Sequence, residues 1–72
     1  MEMTASEKIR LIAKRKGKTM GEVAEMTSQS RQNLSNKMQR DNFTIAELQK
    51  IASALECSVE IRFVDNASGE II

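Results

Sequence analysis

The chain has 72 residues, with 11 Lys or Arg against 10 Asp or Glu, no His, no Pro, no Trp or Tyr, and one Cys. One cysteine excludes an intrachain disulfide and, without histidine, an all-protein zinc site, so a zinc finger is excluded. No apolar run approaches the roughly 20 residues that span a bilayer, and the first residues lack the apolar core of a signal peptide. A reduced, cytoplasmic setting without membrane contact is the expectation.

A chain of this size makes one small domain with a modest core, which a partner subunit would help to stabilise. Its near-zero net charge conceals an asymmetry. Residues 1–40 carry nine Lys or Arg against four Asp or Glu, and residues 41–72 carry two against six. The pattern fits a basic half that meets a polyanion, and it also fits an ordinary solvated surface.

A first helix is predicted from Thr4 or Ser6 to Lys16. Ile9, Ile12 and Ala13 recur at helical spacing on one face, with Leu11 flanking. Glu7 suits the positive first turn, Lys14, Arg15 and Lys16 suit the last, and Gly17 suits the left-handed position beyond it. A second helix starts after Thr19, with Glu22 at the capping-box distance. Val23, Ala24 and Thr27 form its inner face, with Met20 or Met26 flanking.

A third helix opens at Ser30 and runs to about Gln39. Leu34 and Met38 lie one turn apart inside, and Arg31, Gln32, Ser35 and Asn36 lie outside. These outward side chains are of the types that read base edges and phosphates, an arrangement that suits a helix laid in the major groove of DNA. They also fit the polar side of an exposed helix. After the polar break Arg40-Asp41-Asn42, a fourth helix opens at Thr44, again with Glu47 at capping-box spacing. Ile45, Leu48, Ile51, Ala52 and Leu55 form the cleanest apolar stripe in the chain.

Beyond Leu55 the period changes to two. Val59, Ile61 and Phe63 alternate with Glu60, Arg62 and Val64, which reads as a strand. Asp65 to Gly69 is rich in turn formers, and Glu70-Ile71-Ile72 can return, so a terminal β-hairpin is expected. An isolated two-stranded ribbon is marginal in water, so it must pack on the helices or pair with another chain. The expected organisation is residues 1–57 as the helical domain and 58–72 as a packing or dimerisation element of that domain, with Val59, Ile61 and Phe63 as candidate interface residues.

Thr19 to Leu55 resembles the phage-repressor-like (Cro/repressor, XRE-type) helix-turn-helix domain. Ala24 stands where that family packs a small residue, Ser30 at the recognition-helix cap, and Leu34 at the buried aliphatic position. Asn42-Phe43-Thr44 matches the entry to the family's fourth helix. Three positions depart from the family. Ser28 stands where Gly is usual in the turn, Met20 where Gln often meets a phosphate, and Glu56 where Gly often follows the fourth helix.

The resemblance implies a mainly α, lambda-repressor-like four-helix domain that regulates transcription by binding double-stranded DNA, repressor-like, as a homodimer on two-fold sites. It implies base contacts from Arg31, Gln32, Ser35 and Asn36. Backbone contacts are implied for Lys18, Thr19, Ser28, Ser30, Lys37 and Arg40. Lys14, Arg15 and Lys16 either track the flanking backbone or compensate the helix dipole. A rival from another class is a protein-interaction module on the same scaffold, such as an antitoxin that binds a toxin or another regulator. Cys57 reads as a small apolar residue rather than a redox sensor. No phosphate loop, nucleophile elbow or metal spacing is present, so neither enzyme activity nor a cofactor is expected.

Overall fold

A computed structural model describes residues 3–72. It contains four helices: α1 (Ala5–Arg15), α2 (Met20–Met26), α3 (Arg31–Arg40) and α4 (Ile45–Ala54). Each starts at a hydroxyl side chain that accepts from a backbone N–H of the first turn: Thr4, Thr19, Ser30 and Thr44. Such a cap is worth about 1 kcal/mol over alanine. In α1, α2 and α4 the cap is a full capping box, closed by Glu7, Glu22 and Glu47. In α3 the corresponding position is Asn33, so its cap has no returning carboxylate.

All four helices end alike, with one left-handed residue and a pair of reversed hydrogen bonds. Gly17 (φ 67°), Ser28 (φ 57°), Asp41 (φ 51°) and Glu56 (φ 59°) occupy the left-handed position. After α2, for example, Ser28 N donates to Glu25 O at 3.1 Å and Gln29 N donates to Ala24 O at 3.0 Å. This geometry satisfies carbonyls that the helix itself leaves unpaired. Glycine has the least steric cost there, and only the first of these positions has it.

The core is built from Ile9 and Ala13 of α1, Val23 and Ala24 of α2, Leu34 and Met38 of α3, and Ile51 of α4 with Leu55 just beyond it. Ala24 and Leu34 are each 1% exposed, so the small residue and the aliphatic one occupy the interior as expected. Burying a leucine fully contributes about 1.5–3 kcal/mol. α2 is the hub and touches the other three helices. Thr27 is buried with its hydroxyl donating to Val23 O at 2.8 Å and accepting from Gln29 Nε2 at 2.7 Å. A further clasp joins α1 to the end of α3: Asp41 Oδ1 accepts from Ser6 N and from Ser6 Oγ, each at 2.8 Å. The same Ser6 hydroxyl lies 2.7 Å from Met38 O.

Two expectations need correction. Ile45 is 54% exposed, because the first residue of α4 precedes the turn that packs inward. The flank of α2, open between Met20 and Met26, is taken by Met20, which packs on the core, whereas Met26 is exposed. The second correction concerns the β-hairpin, which does not form as a pair of strands. The described residues contain only an isolated antiparallel bridge, Val64 to Ile71, around a turn held by Gly69 N donating to Asp65 O at 2.7 Å. The physical reason is burial: Phe63 is 71% and Ile72 76% exposed, so neither face of the ribbon is covered.

This segment leaves the helical body as an arm. The radius of gyration is 13.8 Å, against roughly 11 Å for a compact domain of this length.

Candidate nucleic-acid interface

α2, the turn Thr27–Ser30 and α3 form the helix-turn-helix unit. The turn is rigid for identifiable reasons. Ser28 reverses the chain at positive φ, and Gln29 bridges Thr27 Oγ1 to Asn33, whose Nδ2 donates to Gln29 Oε1 at 3.1 Å. Leu34 and Met38 fix the rotation of α3 about its axis, since both are buried. That rotation puts Arg31, Gln32, Ser35 and Asn36 in solvent. Gln32 Nε2 donates to Asn36 Oδ1 at 3.1 Å, one turn apart, which aligns the two amides along the outer face. The carbonyl oxygen of Gln32 and the amide group of Asn36 keep free hydrogen-bonding capacity.

The rim around this face is made by the starts of α2 and α3. The Arg31 stem passes over the first turn of α2: a Cβ added to Gly21 would sit 3.8 Å from Arg31 Cδ. Thr19 and Ser30 accept backbone N–H groups with their side-chain oxygens, at 3.1 and 3.0 Å, and the Ser30 hydroxyl proton remains available to an outside acceptor. Lys18, Ser28 and Arg40 are exposed on the same rim or at the far end of α3. Met20 turns inward on the core. It is therefore not in the position of a polar side chain offered to a phosphate.

Charge distinguishes the helix starts. α1, α2 and α4 each carry an acidic residue in the first turn, whereas α3 carries none. The positive end of the α3 dipole is therefore uncompensated, with Arg31 beside it. At the start of α2, by contrast, the Glu22 carboxyl is held below its ordinary value of 4.5 by hydrogen bonds from the Thr19 backbone and side chain. It remains negative there.

Lys37 differs from the other cations of α3. Its Nζ lies 2.7 Å from Glu47 Oε1, with the two side chains 27% and 33% exposed. The hydrogen bond from Lys37, then that from the Thr44 backbone, holds the Glu47 carboxyl below the ordinary 4.5. Three residues outside the sequence-derived set also gather here. Gln29, Asn33 and Lys50 line a notch of about 140 Å³ with Ser28, Lys37 and Glu47. The hydrophilic i, i+4 relation of Gln29 and Asn33 was the available signal for those two. Lys50 lies in the acidic half and had none.

A family model described as a Cro/C1-type HTH DNA-binding domain matches residues 8–60. The chain belongs to this family. The match runs from inside α1 to just past α4 and stops before the arm, so residues 61–72 are outside it. No curated protein and no solved structure matches the chain. The Cro/C1-type domain is a DNA-binding one, and the matched span contains α2, the turn and α3. Among the described residues no helix is long and apolar enough to cross a membrane. No group of three or more His, Cys, Asp or Glu among them is placed to hold a metal ion. Cys57 is half-buried, with its Sγ 3.4 Å from Leu55 O.

Proposed function

We propose that this Cro/C1-type domain is a sequence-specific, repressor-like transcriptional regulator that acts in the cytoplasm on double-stranded DNA, with α3 in the major groove. The observation that carries this reading is the character of α3. It is the one helix whose first turn lacks an acid, and its outward face presents Arg31, Gln32, Ser35 and Asn36 to solvent. Arg31 suits guanine O6 and N7, and the aligned Gln32–Asn36 amides suit adenine N6 and N7. Ser35 reaches a base or a phosphate. Lys18, Thr19, Ser28, Ser30 and Arg40 position the domain on the phosphates. Lys37 belongs to the same rim but has its charge paired with Glu47.

The protein acts as a homodimer on half-sites about one helical turn apart. Support comes from the arm, where Ile61 (48%) and Phe63 are exposed apolar side chains with Val59 half-buried at its base. An apolar groove of about 400 Å³ between α1 and α4, reaching Val59 and Ile61, adjoins it. The same exposed arm favours the second reading, an antitoxin-type or other protein-interaction module that binds a toxin or another regulator.

The test is selection of bound sequences from a random duplex pool, followed by Arg31→Ala on the selected site. The substitution should cost roughly 1–3 kcal/mol and relax preference at one base position. A uniform loss across all sites places Arg31 on the backbone instead. Absence of any retardation of duplex DNA at low salt favours the protein-binding reading.

A further inference from the structure

The C-terminal half of α3 offers two cations, and they are not equivalent. Arg40 is exposed and makes no ion pair among the described residues, whereas Lys37 is held by Glu47 at 2.7 Å. Glu47 is itself anchored. Its second oxygen, Oε2, accepts from Thr44 N at 3.1 Å, and its own backbone N–H is held by Thr44 Oγ1 at 3.1 Å. Both carboxylate oxygens are therefore engaged, one on the cap of α4 and one on α3. Glu7 and Glu22 close their caps in the same way but make no ion pair among the described residues.

The pair is also sheltered. Its side chains are half-buried, unlike the exposed Arg62–Glu60 pair at 65% and 76%. Salt screens a partly buried pair much less than an exposed one. For Lys37 to reach a phosphate it must break a short charge-assisted bond and leave Glu47 unpaired beside α3. A phosphate oxygen offers Lys37 a bond of the same charge-assisted kind, in exchange for the one it already has.

We propose that Glu47 withholds Lys37 from the DNA backbone, so that α3 meets phosphates with fewer cations than its sequence contains. Backbone contacts supply sequence-independent affinity. Removing one of them lowers affinity about uniformly across sequences while leaving base readout by Arg31 and Gln32 intact, so Glu47 is a positioning residue that sets how strongly α3 holds the backbone of any duplex. The inference rests on the DNA-binding reading above.

The experiment is equilibrium binding of the wild type, Glu47→Gln, Lys37→Gln and the double variant to a random-sequence duplex, over about 50–200 mM salt. Glutamine serves the capping box as glutamate does, so the α4 cap is retained. Thermal melts confirm that each variant is folded. Glu47→Gln should steepen the log–log salt slope by about 0.9, one added phosphate contact, or a roughly three- to fourfold larger loss of affinity across that range. Lys37→Gln should leave the wild-type slope unchanged, and the double variant should match it.

A shallower slope for Lys37→Gln alone, by about 0.9, overturns the proposal by placing Lys37 on a phosphate already. That variant leaves the cap untouched, so it decides the question even if Glu47→Gln folds poorly. An unchanged slope in folded Glu47→Gln also overturns it, and so does equal steepening with and without Lys37, which makes Glu47 a diffuse repulsion. Failure of the wild type to bind any duplex at low salt is a different result. It rejects the DNA-binding reading itself, and this inference with it.

Discussion

Ser28→Gly and Glu56→Gly should each stabilise the free protein, and Asp41→Gly should not. All three positions lie in the left-handed region, at φ 57°, 59° and 51°. An L side chain there costs roughly 1–2 kcal/mol, because Cβ crowds the following carbonyl oxygen. Glycine removes that crowding but brings about 0.5–1 kcal/mol of extra chain entropy to the unfolded state. The difference is a net gain of about 0.5–1 kcal/mol, or a melting temperature higher by roughly 2–8 °C for a domain of this size. The Ser28 and Glu56 side chains are exposed and make no hydrogen bond among the described residues, so nothing offsets the gain. Asp41 differs because its carboxylate accepts two bonds from Ser6 at 2.8 Å, which glycine loses. Aspartate also tolerates this conformation better than most residues. Thermal and urea unfolding of the three variants without DNA measures all of this. No gain in stability for either Ser28→Gly or Glu56→Gly, or an equal gain for Asp41→Gly, would refute a left-handed strain at these positions.

Acid should destabilise the fold through its anchored carboxylates. The Asp41 carboxyl is held below its ordinary 3.8 by the Ser6 hydroxyl and backbone N–H, and Glu22 and Glu47 are held below 4.5. Their contribution is complete above those ordinary values and is lost as pH falls through the lowered native ones. Urea midpoints should therefore drop between about pH 5 and pH 2, and Asp41→Asn, which keeps an acceptor oxygen, should flatten part of the drop. Stability that holds level or rises over that interval contradicts the assignment. Sedimentation should show a dimer at micromolar concentration that Phe63→Ser with Ile61→Ser shifts toward monomer. A wild-type monomer both with and without DNA removes the homodimer proposal.

The starts of α2 and α4 were legible because a capping box is local: Thr-x-x-Glu specifies its own hydrogen bonds within one turn, whereas the start of α1 was open between Thr4 and Ser6 until the structure put its cap at Thr4. The 3.6-residue stripe likewise located Val23, Ala24, Leu34, Ile51 and Leu55 in the core. Ser28 and Glu56, where the family usually has Gly, both take a positive φ in the structure, so the cap after α4 keeps the shape of the others without glycine. Contacts across the fold were not legible. Ser6 and Asp41 meet over 35 residues of chain, and Lys37 meets Glu47 only because α3 and α4 pack at that spot. Ile45 satisfied the stripe yet stayed outside, since periodicity does not say where on a helix packing begins. The arm showed strand periodicity, but a ribbon needs a covered face, and none of the described residues covers it. Of the candidate site, the outward set on α3 could be read from its polarity. The paired state of Lys37 and the notch with Lys50 required the folded geometry.

The central claim is that the outward face of α3 is where this protein meets DNA. Titrating the isotope-labelled protein with an unselected duplex at low salt, and following amide and side-chain resonances, tests it most directly. The largest shifts should fall on Arg31, Gln32, Ser35 and Asn36, with smaller ones at Thr19 and Ser30 on the rim. Shifts confined to the arm or to the groove between α1 and α4, with α3 silent, would contradict the account.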